Sequence, residues 1–72
     1  MFNYFIQMLG KTMPISSNEY EEYMINEAVD SGETKTTAKR VIRENRQEAR
    51  ETGKNVFRLS CGAEVIITKE VK

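Results

Sequence analysis

The hydrophobic spacing of this chain changes its period at Gly53, and that change constrains the fold more than any other feature. Before Gly53, residues 34–52 contain no Gly or Pro and abound in Ala, Lys, Arg, Glu and Gln. Their apolar positions Ala38, Val41, Ile42 and Ala49, with Asn45 among them, fall on one narrow helical face. After Gly53 come two short runs, Asn55-Val56-Phe57-Arg58-Leu59 and Ala63-Glu64-Val65-Ile66-Ile67-Thr68, rich in β-branched and aromatic residues. Ser60-Cys61-Gly62 separates them, with Gly62 suited to the left-handed position of a three-residue turn. The implied hairpin, about 55–60 with 63–69, sets Phe57 opposite Val65, Arg58 opposite Glu64 and Val56 opposite Ile66, and turns Phe57, Leu59, Val65 and Ile67 inward. A lone two-stranded hairpin is marginal in water, so it must pack on helices or pair across a dimer. The expected fold class is α+β.

A further helix precedes the first. Ser16 with Glu19, and Asn18 with Glu21, have capping-box spacing, and the early acids favour the positive end of a helix dipole. Tyr20, Tyr23, Met24 and Ala28 form an apolar face, where the two tyrosines read as core, and Ser31-Gly32 supplies a stop. Helices over about 18–30 and 34–52, joined this closely, make an αα-hairpin or a helix-turn-helix. Ahead of them, Phe2, Phe5, Ile6 and Leu9 fall at i, i+3, i+4 and i+7, with Gly10 as a stop. This reads as a short apolar helix or strand covering the core, followed by a linker at Pro14-Ile15-Ser16-Ser17, and Met13 is a candidate internal start. The 72 residues thus divide into an apolar segment and linker (1–16), a helical hairpin (17–53) and a β-hairpin (54–72) within one small domain.

Composition narrows the chemistry. There is no histidine and one cysteine, Cys61. Imidazole bases, Ser-His-Asp triads, zinc constellations and internal disulfides are therefore excluded, and a reducing, cytoplasmic setting suits the single thiol. The four glycines form no phosphate-cradling pattern. The N-terminal apolar run is far shorter than the roughly 20 residues of a transmembrane helix and has no basic leader before it. The expectation is a non-enzymatic protein with no cofactor, no metal and no membrane role.

Charge gives the functional lead. Eleven acids and eleven bases cancel, but residues 1–33 hold one base and six acids, whereas residues 34–72 hold ten bases and five acids. On the second helix Lys39, Arg43, Arg46 and Arg50 align with Lys35 and Lys54 in steps of three or four. Like charges at i, i+4 cost about 0.2–0.5 kcal/mol per pair, a cost that a polyanion offsets. Lys39, Arg43, Arg46 and Arg50 are accordingly the candidate nucleic-acid contacts. The opposing possibilities are that the stripe is a solvated face, that it binds an acidic protein surface, or that it lies against Glu19, Glu22 and Asp30 of the preceding helix. Those three acids, or the hairpin edge, are also the candidate surface of a protein-binding module such as an inhibitor or antitoxin-like partner. A homodimer pairing oppositely charged helices is the third arrangement.

Residues 24–43 resemble the helix-turn-helix pattern. Ala28 and Gly32 have the spacing of its small residue and turn glycine, and Val41 follows nine after the glycine, although Glu27 and Ala38 stand where larger apolar residues are usual. The resemblance implies a second helix in the major groove, with Thr36, Thr37, Lys39 and Arg40 near base edges or phosphates. In size, dense charge and lack of catalytic groups the chain also looks like the short accessory proteins of phages, plasmids and bacterial regulatory operons.

Overall fold

A computed structural model describes residues 2–69. It contains six elements: β1 (Phe2–Met8), β2 (Lys11–Ile15), α1 (Ser17–Asp30), α2 (Lys35–Thr52), β3 (Lys54–Arg58) and β4 (Glu64–Lys69). The strands form one antiparallel sheet in the order β2-β1-β4-β3, so the N- and C-terminal hairpins meet through their β1 and β4 strands. Both helices lie on one face of it, α2 against β3 and β4 and α1 against β1 and α2. The fold is α+β.

The helices end where the sequence predicts and begin within one residue of it. Ser16 caps α1 through a reciprocal box, its Oγ accepting from the Glu19 N–H at 3.1 Å while Glu19 Oε1 accepts from the Ser16 N–H at 2.9 Å. Thr34 caps α2, and Gly53 closes it in the left-handed conformation, φ 94°, donating to the Ala49 carbonyl. Gly53 is also the single residue between α2 and β3, so the chain reverses from helix to sheet there. The C-terminal hairpin has the expected register, with Phe57 opposite Val65, Arg58 opposite Glu64 and Val56 opposite Ile66.

The N-terminal segment takes the strand alternative and adds a hairpin. Its helical spacing is replaced by alternation, in which Phe2, Tyr4 and Ile6 face the helices and Phe5 faces away. Leu9 and Gly10 form a two-residue turn with φ 53° and 77°, the two positive values of a type I′ turn. Leu9, expected on an apolar face, projects from the tip 96 % exposed. Pro14 and Ile15, expected in a linker, are the end of β2, and Met13 lies inside that strand. Met1 and residues 70–72 of the sequence-assigned flanks lie outside the described residues.

One core cluster lies between the layers, built from Ile6, Tyr20, Met24, Ile42, Ala49, Leu59, Ala63, Val65 and Ile67. Tyr20, Val65 and Ile67 have no accessible surface. Among the described residues no helix lies over the opposite sheet face, which carries a row of Pro14, Phe5, Ile66 and Val56, aligned across all four strands by the register. No helix among the described residues is long and apolar enough to cross a membrane.

A leucine in the left-handed region costs roughly 1 kcal/mol that glycine or asparagine avoids. Leu9→Asn, which creates the favoured Asn-Gly turn without touching the core, is expected to raise stability by about 0.5–1 kcal/mol, read as a shift in the urea midpoint at unchanged m-value.

Candidate nucleic-acid interface

The site is built on the flank of α2 that turns toward β1. The face of α2 that packs down consists of Ala38, Ile42, Asn45 and Ala49. At 100° per residue, Lys39, Arg43, Arg46 and Arg50 lie to one side of this buried face. The side chains on that flank are not equivalent. Lys39, Arg43 and Arg50 are exposed, whereas Arg46 is half-buried.

Arg46 is held from two directions. Its Nε donates to the Tyr4 hydroxyl at 3.1 Å and one terminal nitrogen donates to Glu21 Oε2 at 2.9 Å. Its guanidinium also stands over the Tyr4 ring, 5.7 Å from the centroid. Burial works against its charge, but the bonds to Glu21 and Tyr4 outweigh that and hold its pKa above the ordinary arginine value. Beneath it, the Tyr4 ring lies 5.1 Å from that of Tyr20, and the buried Tyr20 hydroxyl accepts from Asn45 Nδ2 at 3.1 Å. Arg46 thus ties α1, α2 and β1 together through a polar and aromatic stack. It is a scaffold cation first.

The remaining stripe is open. Among the described residues the Arg46–Glu21 pair is the one ion pair within 4.0 Å, leaving Lys39, Arg43 and Arg50 without an acidic partner at that distance. Arg50 donates to Gln47 and sits 5.7 Å from the Phe2 ring centroid. A shallow groove lined by Glu21, Lys39, Ile42, Arg43, Arg46, Gln47 and Arg50 collects these cations.

The acids named from sequence do not cover it. Glu19 is engaged in the α1 cap, and Glu22 and Asp30 are exposed. The acids of α1 that reach beyond their own helix are others: Glu21 meets Arg46, and Glu27 accepts from the Ser60 backbone and hydroxyl at the β3–β4 turn. The helix-turn-helix expectation meets a different arrangement. Tyr20 and Glu21 at the start of α1 meet Asn45 and Arg46 late in α2, while Ala28 and Ala38 line a common cleft at the other end. The helices therefore run antiparallel and side by side on a sheet, so α2 does not project as a recognition helix. Thr37 is half-buried beside the Thr34 cap rather than presented to a groove.

Two residues of this surface, Phe2 and Tyr4, were assigned by sequence only to an apolar segment. Their alternation with Ile6 was the available signal, and the coincident helical spacing of Phe2, Phe5, Ile6 and Leu9 masked it.

Two outcomes test this assignment. Arg46→Ala is expected to lower stability by about 1–2 kcal/mol in urea denaturation, the scale of partly exposed hydrogen bonds to a charged group, whereas Arg43→Ala should change it by less than about 0.5 kcal/mol. The second concerns pH. Burial, the largest influence, pushes the Tyr20 phenol above its ordinary value, and the Asn45 bond and Arg46 lower it by less. A folded-state pKa above the unfolded one keeps its contribution intact below about pH 10 and loses it as pH rises through the folded value. Stability is expected to fall above pH 10, and Tyr20→Phe to remove part of that fall while costing about 1–2 kcal/mol at neutral pH from the unpaired Asn45 amide.

Comparison with protein-family models, with curated proteins and with solved structures finds no match to this chain.

Proposed function

We propose that this chain is a small non-enzymatic nucleic-acid-binding protein, of accessory or regulatory type, that uses the exposed flank of α2. The observation that carries the reading is the division within the stripe. Arg46 is neutralised and fixed by Glu21, while Lys39, Arg43 and Arg50 stand on the same flank with no acid of the described residues within 4.0 Å. A pairing of the two helices' charges would have consumed these cations, and it consumes only one. Arg46 instead anchors the helix whose neighbouring turns hold the free cations, which gives their spacing rigidity. Positions 39 and 50 lie eleven residue steps apart on the helix, about 16 Å of axis, a length that meets several consecutive phosphates.

The alternative surface on α1 has weaker support. Glu19 is committed to its cap, and Glu22 and Asp30 are about 12 Å apart along the axis.

Three phosphate contacts imply a slope of log K against log salt concentration of about −2 to −3. Fluorescence anisotropy with labelled oligonucleotides is expected to give that slope, and Arg43→Glu with Arg50→Glu to weaken binding at least tenfold without lowering the melting temperature. An affinity indifferent to salt, or a double variant that binds as well as the parent, would overturn the reading.

A further inference from the structure

The cationic groove does not end at Arg46. That residue also lines a second cleft, of about 650 Å³, whose other walls are Phe2, Tyr4, Phe5, Pro14 and the turn from Ile15 into α1. The cleft exists because β2 is shorter than β1. Their pairing stops at Tyr4 opposite Ile15, while β1 continues to Phe2, still paired with Lys69 of β4. In the antiparallel ladder successive residues point their backbone groups to alternate sides. The two-residue turn makes Met8 and Lys11 a hydrogen-bonded pair, so Met8, Ile6, Tyr4 and Phe2 direct their N–H and C=O toward the β2 side. At Phe2 that side is the notch, where β2 no longer runs.

The notch therefore combines three features. It has aromatic and apolar walls and the volume of an ordinary ligand cleft. It has a backbone donor and acceptor at its edge. It opens beside Lys39, Arg43 and Arg50 through the shared Arg46. Tyr4 is packed against Tyr20 and Arg46 and Phe5 faces away from the helices, so Phe2, half-buried at the end of the strand with the Arg50 guanidinium 5.7 Å from its centroid, is the ring on the cationic side of the notch.

Resting on the nucleic-acid reading above, we infer that the ligand is single-stranded, with phosphates along Lys39, Arg43 and Arg50 and one unpaired base taken into the notch against Phe2. A duplex keeps its bases stacked on one another and presents none to a ring at the floor of a cleft. Unpaired strands offer a π-face at every base, and aromatic platforms beside cationic grooves bind them with little sequence preference.

The chain has no tryptophan, so Phe2→Trp introduces a single reporter at the proposed contact. The expected result is quenching of its emission by a short oligothymidine and not by a duplex of equal charge. Phe2→Leu keeps apolar bulk without a π-face and is expected to weaken oligothymidine binding about 5- to 100-fold, with the salt slope unchanged and duplex binding unaffected. Urea midpoints near that of the parent establish that both variants are folded. Equal binding of single strand and duplex, unaffected by Phe2→Leu and with no selective quenching, would overturn this inference and leave the cationic flank standing. Loss of binding to both nucleic acids in the parent chain would overturn the underlying reading as well.

Discussion

The pairing of β1 with β4 is the contact on which the rest depends. It joins the first and last described segments through six residue pairs, from Phe2 with Lys69 to Gln7 with Glu64. Each hairpin alone would be marginal. Joined, they supply a four-stranded face from which Tyr4, Ile6, Val65 and Ile67 rise into a common core with the helices. The loop closed by this ladder contains both helices, so its entropy cost is met only when the helices pack down on the same face. Helix packing and sheet formation are therefore one event. Because β1 lies in the centre of the sheet, Tyr4 comes under the C-terminal half of α2, where Arg46 finds it.

How much of this was legible depended on whether a segment's signal had one meaning. The C-terminal hairpin did: its alternation and the glycine of its turn agree, and the observed register follows. The helices did too, because caps and periodicity coincide. The N-terminal segment carried two meanings. Phe2, Phe5, Ile6 and Leu9 fit a helix face, while Phe2, Tyr4 and Ile6 fit a strand, and the turn that would have decided between them places a leucine where glycine, asparagine or aspartate is usual. Pro14 suggested a linker because proline is excluded from central strands. Yet β2 is an edge strand, and Pro14, opposite Phe5 at a non-hydrogen-bonded position, directs its missing N–H outward. Asn55 was likewise opaque. It occupies an inward position opposite Ile67, its amide held by Glu48 at 3.0 Å and its carbonyl oxygen buried without a partner.

The candidate site shows a different limit. A helical wheel places four cations together but cannot say which of them a sheet residue will claim, because the claim by Tyr4 comes from 42 positions away. The segregated charge suggested that two helices would neutralise each other. The acids of α1 instead disperse into separate tasks, Glu19 in a cap, Glu21 on Arg46 and Glu27 on the distant turn. Surface ion pairs contribute little, typically under 1 kcal/mol, so nothing forces a complete match between the stripes. Local hydrogen bonds with well-defined geometry decide where each carboxylate goes, and the leftover positive charge follows from those decisions.

The notch beside that charge has an equally local origin. Ser16 caps α1 through the reciprocal bonds with Glu19, and Ser17, which would pair with Phe2 if β2 continued, is already the first residue of the helix. The extended backbone of Ser16, φ −79° and ψ 164°, could otherwise have prolonged β2. Capping therefore fixes the last possible strand residue at Ile15, one position before the cap. β1 meanwhile must reach Phe2 to complete its ladder with Lys69. The two-residue mismatch between adjacent strands is thus set by a helix start on one side and a central strand on the other. Removing it would require either an uncapped α1 or a shortened centre of the sheet. The opening next to the cations is built into how the first helix begins.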